Sequence, residues 1–201
     1  MKKIILPIVM LALVSFTGAD TTLTKSERKL AIKEMTNSRN HLLKLVKGLS
    51  EKQLNFKSSP ERWSIAECVE HIAISENLIF GMLEAALKTP ADPSGRPEVK
   101  TPDDALLARI KDRSTKVKTF EPFEPSGKYG SFEATLKEFK AKRDEHIRYV
   151  KKNRDDLRNR YQKLPFGTID GFQVLLFMSA HSERHVKQIE EVMADANFPK
   201  E

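Results

Sequence analysis

Cysteine is almost absent. Cys68 is the only one in 201 residues, so no internal disulfide can form, and stability must come from packing or from a bound metal. Cys68 falls inside an apolar helical stretch, where a buried small hydrophobe is expected rather than a reactive thiol. No period-two run of β-branched residues stands between turn signals, so a sheet has no support. Internal repeats and low-complexity tracts are missing too. Charge of one sign forms no long run: acids and bases interleave, as in TKSERKLAIKE and KEFKAKRDEH. That pattern describes solvated helix faces rather than a phosphate-binding stripe, and it argues against a nucleic-acid partner.

The most apolar segment present is N-terminal. Met1-Lys2-Lys3 precedes an apolar run from Ile4 to Phe16, then Thr17-Gly18-Ala19 before Asp20, which is the layout of a secretory signal peptide. The run has 13 residues, against the roughly 20 that a spanning helix needs, so a leader cleaved after Ala19 is favoured over an uncleaved interfacial anchor. No cysteine follows it to carry a lipid. The expectation is a signal peptide at 1–19 and one domain at 20–201, exported to the periplasm or beyond the cell, with no stable membrane span after cleavage. The leader carries Lys2 and Lys3 and no acid, so the formal charge of +7 falls to +5. The remaining length suits a single core.

Helical periodicity fills the rest. Thr24 with Glu27 forms a capping box opening a helix to about Leu49, with Leu30, Met35, Leu42, Leu45 and Val46 at spacings of three and four. Ser64 with Glu67 opens a second helix, carrying Val69, Ile72, Ile79, Phe80, Leu83 and Leu87, that ends before Pro90. Thr101-Pro102 gives an N-cap followed by Pro in the first helical position and predicts a shorter helix to about Thr119. Ser131 caps a charged helix to about Asn153, and Asp170 with Gln173 opens the last one after the FGTI turn. The expected fold is all-α: a four-helix bundle with an additional short helix between the second and third long ones.

Five histidines are present. His181 and His185 stand one turn apart on the last helix, so both imidazoles can address one point. His71 lies near the middle of the second long helix. On a helical wheel all three fall at the border of the apolar stripe, His71 beside Leu78 and Met82. Three neutral imidazoles and an open position are the donor set of a catalytic transition-metal site, for which zinc and nickel are chemically suitable. Spacing alone leaves open a pair of packed or surface histidines. His41 is read as either approaching the site or packing, and His146, flanked by Asp144, Glu145 and Arg148, as solvated. Glu76, five residues after His71, is a candidate outer acceptor or general base, equally readable as a solvated or paired carboxylate.

The segment PERWSIAECVEHIAISE resembles the signature of the DinB/YfiT-like superfamily, in which a Trp-Ser start precedes a helix bearing a metal-binding histidine. LPFGTIDGFQVLLFMSAHSERHVKQIEEV is similar to that superfamily's last helix, with its HxxxH pair. The resemblance implies a four-helix bundle in which His71, His181 and His185 hold a divalent metal. Trp63 matches the tryptophan of the motif and is expected to pack at the helix start, while Glu183 and Arg184 are expected to pair with neighbouring helices. The superfamily includes metal-dependent transferases that move thiols such as bacillithiol or mycothiol onto electrophiles, and metal hydrolases. The activity implied is therefore that of a thiol S-transferase or a hydrolase acting on a small molecule. Those thiols are cytosolic, which sits uneasily with a leader. A non-catalytic metal- or ligand-binding bundle of the envelope is the alternative, and whether the chain forms a homodimer is left open.

Overall fold

The computed structural model describes residues 22–200, so the expected signal peptide at 1–19 lies outside the described residues. Four helices of 21 to 23 residues form the bundle: α1 (Lys25–Leu45), α3 (Ile65–Leu87), α5 (Phe132–Lys152) and α6 (Gly171–Met193). Each opens on the cap read from the sequence. Thr24, Ser64 and Asp170 accept from the backbone N–H three residues on, and Glu27, Glu67 and Gln173 reach back, closing three capping boxes. Ser131 accepts from the Ala134 N–H. Such caps stabilise by about 1 kcal/mol each and fix where each helix starts. The short helix α4 (Asp103–Lys111) follows α3 in the chain and packs on α6.

Four details differ from the sequence reading. α1 stops at Leu45, not Leu49, because the chain turns through Gly48 at φ +78°, a left-handed conformation that favours glycine. A one-turn helix, α2 (Glu51–Leu54), follows on its own capping box, Ser50 with Gln53. α4 is capped at Pro102 with no side-chain bond, one residue later than the Thr101 cap read from the sequence, and ends at Lys111 rather than Thr119. The Asp112 carboxylate accepts from the backbone N–H and hydroxyl of Ser114 at 2.9 and 2.6 Å, a local alternative to the helical ladder. Finally, an antiparallel hairpin joins β1 (Tyr161–Leu164) to β2 (Gly167–Asp170). The expectation of no strand fails here because four-residue strands are too short to show a period. The fold as a whole is the all-α four-helix bundle.

α3 and α6 run antiparallel: Leu83 touches the Gly171 position at one end, while His71 meets His185 toward the other. The apolar interior is split in two. Met35, Ile79, Ile147 and Met178 belong to one cluster, and Leu42, Ala73, Phe139 and Val186 to the other. Between the two members of each helix stands a buried polar residue: Ser38 on α1, Glu76 on α3, Arg143 on α5 and Ser182 on α6. A polar layer therefore crosses the bundle at one level.

The Arg143 guanidinium organises that layer. It is fully buried and donates to both Glu76 oxygens at 2.8 and 2.6 Å, to the Met35 carbonyl and Ser38 hydroxyl on α1, and to the Ser182 hydroxyl on α6. Burial pushes the Glu76 carboxyl up, but Arg143 and His146 outweigh it and hold it below the ordinary range. His146 completes the layer through Nδ1 to Glu76 at 2.8 Å and by stacking on Phe80 at 3.8 Å.

Candidate metal centre

α3 and α6 bring His71, His181 and His185 together. Their ring centroids are 4.2 to 5.0 Å apart, and one nitrogen from each lies within 4.8 Å of the others. His71 and His185 are buried and His181 is half-buried. His71 and His185 sit deeper than the rim position read from the helical wheel, because Trp63 lies over them, 4.8 Å from the His71 ring and 6.1 Å from the His185 ring.

Hydrogen bonds fix how the rings are presented. His71 Nδ1 is 2.7 Å from the Phe123 carbonyl oxygen, which can only accept, so Nδ1 carries the proton. His185 Nδ1 is 2.9 Å from Gln188 Oε1. With both Nδ1 protons committed to oxygens, neither Nε2 carries hydrogen, yet the two Nε2 atoms face each other at 3.0 Å. Two lone pairs at that separation repel unless a cation lies beside them. Nitrogens each about 2.1 Å from one ion, at roughly 90–110°, stand about 3.0–3.4 Å apart. His181 Nδ1 is buried without a hydrogen-bond partner among the described residues, leaving a further nitrogen open. The three residues thus fit a divalent ion, and the carbonyls on Nδ1 are the outer partners usual for such ligands.

The electrostatics agree. Burial pushes His71 down to about 4 from an ordinary 6.5, against a smaller upward pull from the Phe123 carbonyl. His181 and His185 are held well below 6.5, first by burial and then by the neighbouring histidines. All three are neutral at pH 7, the form that binds metal. A pH effect on the metal-free fold follows. Between about 6.5 and 4 the unfolded chain binds more protons at these positions than the folded one, so stability is full above about 6.5 and is lost as the pH falls. The urea midpoint at pH 5 should lie below that at pH 7.5; an equal or higher midpoint would contradict this.

A family model described as the DinB superfamily matches residues 34–189. The chain belongs to the DinB superfamily. The protein is also 26% identical over 148 residues to the uncharacterized protein YuaE of Bacillus subtilis (strain 168), covering 73% of this chain and 87% of YuaE. The solved structure of YfiT from Bacillus subtilis, described as a probable metal-dependent hydrolase with an unusual four-helix bundle topology, superposes with a TM-score of 0.50 at 18% identity. That match covers 86% of this chain and 89% of YfiT, and it supports the four-helix-bundle fold.

Other residues fall differently around the three-histidine cluster. Glu76 is not a free base: its carboxylate is taken up by Arg143 and His146. His146 is buried, not solvated as its charged neighbours suggested, because its side of α5 turns onto Phe80 and Glu76. His41 stands apart, bonded to Glu183 at 2.9 Å and Glu190 at 3.2 Å. Arg184 reaches across to the carbonyls of Asp112 and Thr115, so Glu183 and Arg184 bridge to neighbouring segments as the sequence suggested. Cys68 is buried, and burial pushes its thiol up to about 12, the inert behaviour expected of it. The sequence reading missed Gln188, although it stands one turn after His185. It had no means of finding the Phe123 carbonyl, a backbone atom 52 residues from His71.

Proposed function

We propose that this protein is an exported, divalent-metal-dependent hydrolase of small molecules, with His71, His181 and His185 as the metal ligands. The observation that carries the reading is the convergence of three neutral imidazoles with two bare Nε2 atoms 3.0 Å apart. Zinc and nickel suit such nitrogens. When bound, the ion would supply Lewis acidity toward a water, or toward a thiol, for attack on an electrophilic carbon. The chain's own residues do the rest. The Phe123 carbonyl and Gln188 hold two rings in the ligating tautomer, and burial keeps the three imidazoles unprotonated, with Trp63 lying over His71 and His185. Three protein ligands leave a coordination position for an exchangeable group, which distinguishes a reactive site from a structural one.

Hydrolysis is placed ahead of thiol transfer because water is present in every compartment, whereas the leader argues for export away from cytosolic thiols. The description of YfiT points the same way. The test is metal analysis of untagged protein, followed by hydrolysis assays on activated esters and amides with the protein metal-loaded and chelated. Turnover that depends on metal and disappears in His181→Ala supports the reading; protein that neither retains nor binds a divalent metal contradicts it. Export is checked separately by N-terminal sequencing of the envelope fraction. A chain starting at Asp20 is expected, and full-length chain in the cytosol would oppose it.

A further inference from the structure

The tautomer of His185 depends on Gln188, and an amide by itself does not fix a tautomer. Its oxygen accepts and its nitrogen donates, and a half-turn about the last side-chain bond exchanges them. If the nitrogen faced His185, Nδ1 would have to accept, the proton would move to Nε2, and that nitrogen could no longer ligate. Something must hold the amide one way round.

Arg113 does so. Just beyond the end of α4, its Nη1 lies 3.3 Å from Gln188 Oε1, the same oxygen that faces His185 Nδ1. A guanidinium has only donors, so the Gln188 atom between Arg113 and His185 is oxygen. Arg113 is itself fixed by a two-point contact with Glu191, at 2.6 and 2.8 Å, and Glu191 stands one turn beyond Gln188 on α6. Arg184 pins the following stretch of chain through the carbonyls of Asp112 and Thr115. That same connection later supplies the Phe123 carbonyl to His71.

We propose that Gln188 is a positioning residue for the metal centre, and that Arg113, clamped by Glu191, sets the orientation of its amide and thereby the nitrogen His185 presents. Arg113 fixes the amide, the amide fixes the Nδ1 proton, and the proton leaves Nε2 bare. The connection between α4 and α5 thus orients two of the three histidines, His71 by a backbone oxygen and His185 through this relay. The inference rests on the metal reading for its consequence, but the tautomer itself is a property of the metal-free protein.

Two measurements test it, on untagged full chain. In the metal-free protein, long-range proton–nitrogen NMR correlations of the imidazoles should show His185 protonated at Nδ1 in the wild type. A mixed or Nε2-protonated ring is expected in Gln188→Leu, and an intermediate one in Arg113→Met. Calorimetric titration with zinc should then show Gln188→Leu weaker by about 10–100-fold, with its thermal midpoint close to wild type. Gln188→Glu, which offers only oxygens, should restore wild-type affinity or better. Arg113→Met should weaken zinc by less and add nothing in the Gln188→Leu background, since both act through one bond. Equal zinc affinity in wild type and Gln188→Leu would overturn the proposal. So would Gln188→Glu binding as weakly as Gln188→Leu, or an unchanged His185 tautomer in Gln188→Leu. If the wild type bound no zinc, the metal reading would fall while the tautomer measurement still decided whether the relay exists.

Discussion

Replacing Arg143 by methionine should destabilise the protein by about 3–5 kcal/mol, because it leaves Glu76 as a buried carboxylate with only His146 beside it. The size follows from the polar layer. Arg143 and Glu76 both have side chains with no exposure, and the one guanidinium bonds across from α5 to α1, α3 and α6. Its removal strips the guanidinium donors from the Glu76 carboxylate, while the Ser38 and Ser182 hydroxyls keep their bonds to the Glu34 and Met178 carbonyls. Ion pairs taken from water gain little net energy. Arg143→Met with Glu76→Leu should therefore recover much of the loss. Urea unfolding followed by circular dichroism measures both, and a single variant within about 0.5 kcal/mol of wild type, the range of an ordinary surface substitution, would refute the assigned role.

The second large effect concerns metal and stability together. Zinc that binds only the folded protein should raise its stability by about 4 kcal/mol at a free concentration 1,000 times the dissociation constant. In His181→Ala or His185→Ala that gain should vanish, because two imidazoles and water do not match the three-ligand site. Thermal unfolding with and without zinc reads this directly. A His181→Ala protein stabilised by zinc as much as wild type would place the metal elsewhere.

Much of this arrangement is legible in the sequence, for identifiable reasons. Helix starts are written locally, so Thr24, Ser64, Ser131 and Asp170 mark the four long helices, and each cap is found in place. The HxxxH pair and the block around His71 point to one site, and α3 and α6 do bring those rings together. What escaped was decided by partners distant in the chain. His146 reads as solvated beside Asp144, Glu145 and Arg148, yet its side of α5 faces Glu76, 70 residues away. Glu76 resembles a candidate base until Arg143, 67 residues on, is seen to occupy it. The β1–β2 hairpin was lost because four-residue strands carry no readable period.

The central claim is that His71, His181 and His185 together hold one divalent ion, and calorimetric titration of zinc into metal-free wild type and His71→Ala tests it most directly. His71 is the most informative position because it comes from α3, the helix that does not carry the HxxxH pair. The wild type should bind one zinc per chain, and His71→Ala should bind far more weakly, having lost one of three nitrogens. Equal affinity in the two proteins would show that His71 is packing rather than ligand, and the three-histidine centre would be wrong.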